Sequence, residues 1–159
     1  KLNGFSIMIK IYVDADACPV KNEIEKIATR HNIKTYLVCD GGIRPPLNSL
    51  IQLIIVNQGA DAADDWIVEY IESADICITN DIPLAGRCLK KGALAIKFNG
   101  KPYTNDNIGM ALATRKIMEG IREGGEIIVG PAPFSNTDRS KFLEGMEITV
   151  RKAIKQKDD

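Results

Sequence analysis

Apolar residues in this chain alternate between short continuous runs and stretches where they recur every three or four positions. The runs at 8–13 (MIKIYV), 34–39 (KTYLVC), 51–56 (IQLIIV), 75–79 (DICIT) and 93–98 (ALAIKF) predict strands. Val20, Ile24, Ile27 and Ala28 recur at i, i+4, i+7 and i+8 and predict a helix over 18–32, with Pro19 at its first position. Further helices are predicted over 62–73, 83–92, 107–123 and 136–146. DGGIRPPLNS (40–49) and GKPYTND (100–106) read as loops, and GGEIIVGPAPF (124–134) as an irregular or short-strand stretch.

Strands apolar on both faces, alternating with helices, predict a three-layer α/β/α fold with a mainly parallel central sheet. One domain over 8–147 accounts for the pattern. Residues 1–7 precede Met8, which looks like a natural start, and read as a remnant or extension outside the domain. Residues 148–159 read as a frayed C-terminal tail.

Composition narrows the classes. With 45% hydrophobic and 26% charged residues the chain is expected to fold as an ordinary globular protein. Lys plus Arg and Asp plus Glu both number 21, so no global positive field draws it to nucleic acid or an anionic membrane, and such binding needs a local patch. No apolar run approaches the ~18 residues that span a bilayer, so a soluble, cytoplasmic protein is expected. Four cysteines without C-x-x-C spacing and a single histidine disfavour zinc, and the thiols read as small buried side chains in a reducing cytosol.

The chemistry-bearing pattern is acidic. Sites in open parallel sheets form outside the carboxyl ends of the strands, where Asp14 and Asp16 follow the first strand and Asp81 the fourth. Asp64 aligns with Ile67, Val68 and Ile71 on the apolar stripe of the helix beginning near Ala62, whereas Asp65 shares a solvated face with Glu69 and Glu72. Helix capping is the competing role for Asp16, Asp61 and Asp81. Clustered carboxylates stay protonated or take a cation. All-oxygen ligation suits Mg²⁺ or Mn²⁺, which points to phosphoryl or phosphodiester chemistry. Candidate substrate contacts are Arg44, whose fork suits phosphate, Thr79 and Asn80 beside Asp81, and Ser135 and Arg139 near the last helix. Ser135 with Asp138 also has capping-box spacing. Trp66, Tyr70 and Phe142 read as core, and His31 as a surface group near a helix end.

Taken in order, VDADACP, GADAADDWIV, ITNDIPLA and GPAPFSNTDRSKF resemble the YaiI/YqxD family of uncharacterised bacterial proteins, whose fold is related to that of PIN-domain nucleases. The resemblance covers about residues 8–147. It implies a PIN-like, metal-dependent ribonuclease with acids after the first strand, in a middle helix and after the fourth strand. These positions correspond to Asp14 and Asp16, to Asp64 (less so Asp61 or Asp65), and to Asp81. The adjacent Asp14 and Asp16 pair, and the lack of a further acid in IPLAGRC, depart from that pattern and imply an incomplete second metal site with weak or absent cleavage.

Two other functions compete. A strand followed by D-x-D also opens haloacid-dehalogenase-like phosphatases, with Asp14 as nucleophile, Asp16 as acid and base, Thr79 on phosphate and a lysine from Lys90, Lys91 or Lys97. The late paired-acid motif of that mechanism is missing. A non-catalytic PIN-like module for RNA or protein binding is the third reading. DGGIRPP lacks the glycine spacing of a dinucleotide site. RNA is the expected partner, a membrane is not, and the pattern reveals no oligomeric interface.

Overall fold

The computed structural model describes residues 8–59, 61–123 and 133–158; the readings for 1–7 and 124–132 lie outside them. In chain order the elements are β1 (Lys10–Asp14), α1 (Lys21–His31), β2 (Lys34–Cys39), β3 (Ile51–Ile55), α2 (Ala62–Tyr70), β4 (Ile76–Ile78), α3 (Ile82–Lys90), β5 (Leu94–Ile96), α4 (Asn105–Glu123) and α5 (Asn136–Asp158). The five strands form one sheet, β3-β2-β1-β4-β5, parallel throughout. This is the expected α/β/α architecture.

The period of two along each strand explains the continuous apolar runs. Ile11, Val13, Ile76 and Ile78 enter one core with Ile24 and Ile27 of α1 and Phe142 and Met146 of α5. Tyr12 and Cys77 point the other way, into a second core with Ile67 of α2 and Leu84 of α3. Both faces are covered, so neither can be polar.

Several predicted boundaries move. Residues 148–158 are helical, not frayed: α5 continues to Asp158 because Thr149, Val150 and Ala153 extend the buried stripe of Phe142 and Met146. Basic and acidic neighbours hide that stripe in the sequence. The first helix begins at Lys21, since Ala17 has φ 64° and the chain turns before Val20. The second ends at Tyr70, where Ile71 turns extended and is fully buried. Asp75 then accepts from the backbone N–H groups of Glu72 (2.9 Å) and Lys10 (2.9 Å), fastening the start of β4 to that of β1.

On the α5 side, the loop after β5 presses against a helix. A Cβ at Gly100 (φ 86°) would collide with the Lys141 carbonyl, and one at Gly145 with the Gly100 carbonyl. Glu147 ties α5 to α1, accepting from Arg30 (3.0 Å) and meeting His31 Nε2 at 2.9 Å. The chain's one histidine is thus a packing contact between helices.

Candidate active site

The chain runs outward from β1 through β2 to β3 and returns on the other side of β1 as β4. Strand order therefore reverses between β1 and β4, and the loops leaving their carboxyl ends diverge around a crevice. Asp14 is the last residue of β1, and Thr79, Asn80 and Asp81 follow β4.

Thr79 joins the two loops. Its hydroxyl, fully buried, donates to Asp14 Oδ2 at 2.8 Å and accepts from the Asp81 N–H at 2.9 Å. Asp81 Oδ1 accepts from the Leu84 N–H at 3.0 Å, so it caps α3. The Tyr103 hydroxyl donates to the Thr79 carbonyl at 3.0 Å and fixes this loop from the β5 side. Nothing in the local sequence marked Tyr103, which comes from the loop before α4.

Asp16 is exposed and accepts from the Asp40 N–H at 3.2 Å, linking the loops after β1 and β2. Asp40 is a second acid that motif reading missed, although its place directly after β2 was the available signal. Asp64, in the first turn of α2, is half-buried, and its carboxylate makes no hydrogen bond or ion pair among the described residues. Asp65 is exposed and pairs with Arg87 at 3.0 Å, the division that helix periodicity predicts. Asp61 holds the N-cap position of α2 without a side-chain capping bond.

Burial pushes the Asp14 carboxyl above its ordinary value, against the Thr79 hydrogen bond, and the charges of Asp81 and Asp16 add to the rise. Burial likewise pushes Asp64 up to about 7, helped by Asp81, Asp14 and Asp61 and opposed by Arg87. Acids from β1, α2 and the β4–α3 loop therefore share one electrostatic environment.

Among the described residues no three His, Cys, Asp or Glu side chains converge into a ready metal-binding group. The donor chemistry still fits a hard cation. Asp14 and Asp81 each use one carboxylate oxygen internally and keep the other outside those bonds, and Mg²⁺ needs only one or two direct carboxylates beside water.

The remaining candidates have other surroundings. Arg44 is exposed in the loop after β2. Asn80 Oδ1 accepts from the Phe98 N–H at 2.9 Å and braces the end of β5. Ser135 and Asp138 form a reciprocal capping box, with bonds of 2.9 and 3.1 Å. Arg139 donates to the Pro19 carbonyl and lies 3.6 Å from Glu23 Oε1, holding the start of α5 against that of α1.

Residues 12–152 match the family model described as "Uncharacterized BCR, YaiI/YqxD family". The chain is 51% identical over 150 residues to a UPF0178 protein of Rhodopseudomonas palustris strain TIE-1, covering 94% of this chain and 95% of that protein. It is 51% identical over 146 residues to one from Paramagnetospirillum magneticum, covering 92% and 97%. With one from Parvibaculum lavamentivorans it shares 50% over 144 residues, covering 91% and 95%. No solved structure matches the chain. The four acidic and polar motifs thus lie within a match that spans most of the sequence, and the chain belongs to the YaiI/YqxD family.

Proposed function

We propose that this protein is a metal-dependent phosphodiesterase acting on RNA, the activity that its family's expected kinship with PIN-domain nucleases implies, with its site at the β1–β4 switch point. The observation that carries this reading is the Asp14–Thr79–Asp81 connection: the Thr79 hydroxyl binds the Asp14 carboxylate and the Asp81 backbone N–H, and the charge of Asp81 acts on Asp14. Among the described residues neither carboxylate is paired with a basic side chain, and like charges gathered in this way favour a cation.

Asp14 and Asp81 would hold the ion, with Asp64 and Asp16 beside them. A bound Mg²⁺ or Mn²⁺ supplies charge stabilisation for phosphate and acidifies water. Thr79 keeps Asp14 oriented and, by donating to it, favours its ionised form against the effect of burial. Asp64 would accept a proton from the attacking water. That no three acids converge among the described residues favours a second reading, a nucleic-acid-binding module without turnover.

The test is cleavage of single-stranded RNA in Mn²⁺ or Mg²⁺ by the wild type, Asp14→Asn and Asp81→Asn. Cleavage that falls by on the order of a hundredfold or more in both variants supports the phosphodiesterase. Undiminished cleavage in either variant overturns it, and RNA binding without any wild-type cleavage selects the non-catalytic module.

A further inference from the structure

A cavity of about 120 Å³ opens between α1 and the loop that joins β2 to β3. Its inner wall is apolar, formed by Ile24, Leu37 and Ile51, while Lys21, Asn22, Glu25 and Arg44 border it. Neither the Asn22 nor the Arg44 side chain makes a hydrogen bond or ion pair among the described residues. Glu25 uses Oε2 for the Asn48 amide (3.0 Å), leaving Oε1 outside that bond, and Lys21 donates one proton to the Cys18 carbonyl at 2.8 Å and retains two more.

Both walls are fastened to the loop that bears the acids. Lys21 reaches back to Cys18, and Asp16 accepts from Asp40 at the start of the β2–β3 loop. The cavity is thus a neighbour of the β1–β4 crevice, one strand further along the sheet.

Its chemistry calls for a small planar ligand with an anionic arm. Phosphate alone would leave the apolar wall without a partner, and an acyl chain would leave the polar border without one. A base against the apolar wall, its edge toward Asn22 and Glu25 and its phosphate toward Arg44 and Lys21, satisfies every group. A carboxylate oxygen accepts from an exocyclic amino group but repels a carbonyl at the same ring position.

We propose that this cavity binds one unstacked, single-ring base carrying an exocyclic amino group, with its phosphate on Arg44 and Lys21. Such extruded bases are how single-stranded RNA is read. A nucleoside monophosphate unit has this chemistry whether it is free or part of a strand. The inference rests on the phosphodiesterase reading only for the strand being a substrate.

The test uses the full chain in EDTA, so it does not depend on the metal site. Calorimetric titrations compare CMP, UMP and a short oligocytidylate against the wild type and Arg44→Ala, with matched melting temperatures confirming folding. CMP is expected to bind about fivefold or more tighter than UMP, the worth of one hydrogen bond, and Arg44→Ala to lose at least about tenfold, the worth of a charge-assisted contact. An oligomer that binds more tightly than CMP identifies a strand as the ligand; one that binds less tightly identifies the free nucleotide, and either supports the site. Absent CMP binding, equal CMP and UMP affinities, or an unaffected Arg44→Ala variant overturns the proposal. Metal-dependent cleavage with no CMP binding would sink this subsite alone, and CMP binding with no cleavage would sink the phosphodiesterase alone.

Discussion

The Thr79 hydroxyl lies 2.8 Å from Asp14 Oδ2 and donates to it, although the two residues are 65 positions apart in the chain. The same hydroxyl accepts from the Asp81 N–H. One buried oxygen therefore couples the ends of two adjacent parallel strands, and through them two of the acids on which the functional reading depends.

Thr79→Val keeps the shape and removes both bonds. The variant is expected to lose about 1–3 kcal/mol of stability, because the Asp81 N–H loses its acceptor in a partly buried place. Urea unfolding measures this. The Asp14 carboxyl loses the bond that favours its charged form, so its titration, followed by carbon-detected NMR, is expected to move upward.

Asp64 imposes a pH dependence on the metal-free protein. Its folded value of about 7 lies above the ordinary 3.8, so the folded chain keeps a proton that the unfolded chain releases between those values. Stability from this group is complete below the lower value and falls as pH rises through the window. Asp64→Asn removes the slope. In EDTA at pH 8 the variant is expected to melt above the wild type by about 2–4 °C, the shift that ~1 kcal/mol produces in a chain of this size, and the difference is expected to vanish near pH 4. A constant offset across that range contradicts the assignment.

Gly145→Ala tests the close approach of α5 to the β5 loop. The added methyl would meet the Gly100 carbonyl, a backbone atom that cannot swing aside. Overpacking of this kind costs roughly 1–3 kcal/mol, whereas the same change at exposed Gly109, which has open space around it, is expected to stabilise α4 by about 0.5–1 kcal/mol. Denaturant midpoints of the two variants are expected to move in opposite directions.

Asp75 is the control acid. It is almost fully buried at the amino ends of β1 and β4, and its two oxygens accept from the Lys10 and Glu72 N–H groups. Asp75→Ala is expected to cost about 1–3 kcal/mol and leave metal affinity per folded molecule unchanged. A matching loss of metal binding would mean that the β1–β4 acids are not a local site.

Much of this arrangement was legible in the sequence because its physical causes are local. Runs such as KTYLVC and IQLIIV marked the strands through period-two burial on both faces. The division between Asp64 and Asp65 followed from helix geometry alone. Strand neighbours were a different matter: that β4 pairs with β1 depends on the return of the chain across the sheet, which no local pattern encodes. Tyr103 reaches the site through that topology, whereas Asp40, directly after β2, was open to a reading by position. The C-terminal end of α5 was obscured because RKAIKQKDD is polar on the faces away from Val150 and Ala153, so composition suggested fraying where periodicity continued. Ser135 was legible both as a cap and as a ligand, and the structure uses its hydroxyl in the capping box.

The most direct test of the site is calorimetric titration of Mn²⁺ into the wild type, Asp14→Asn and Asp81→Asn. Asparagine preserves an acceptor for Thr79 at position 14 and a capping oxygen at position 81, so the variants are expected to fold. The wild type is expected to bind Mn²⁺ and each variant to lose at least about tenfold in affinity, the effect of removing a charged oxygen ligand. Wild-type affinity in both variants, or no binding to the wild type, would contradict the proposed metal site.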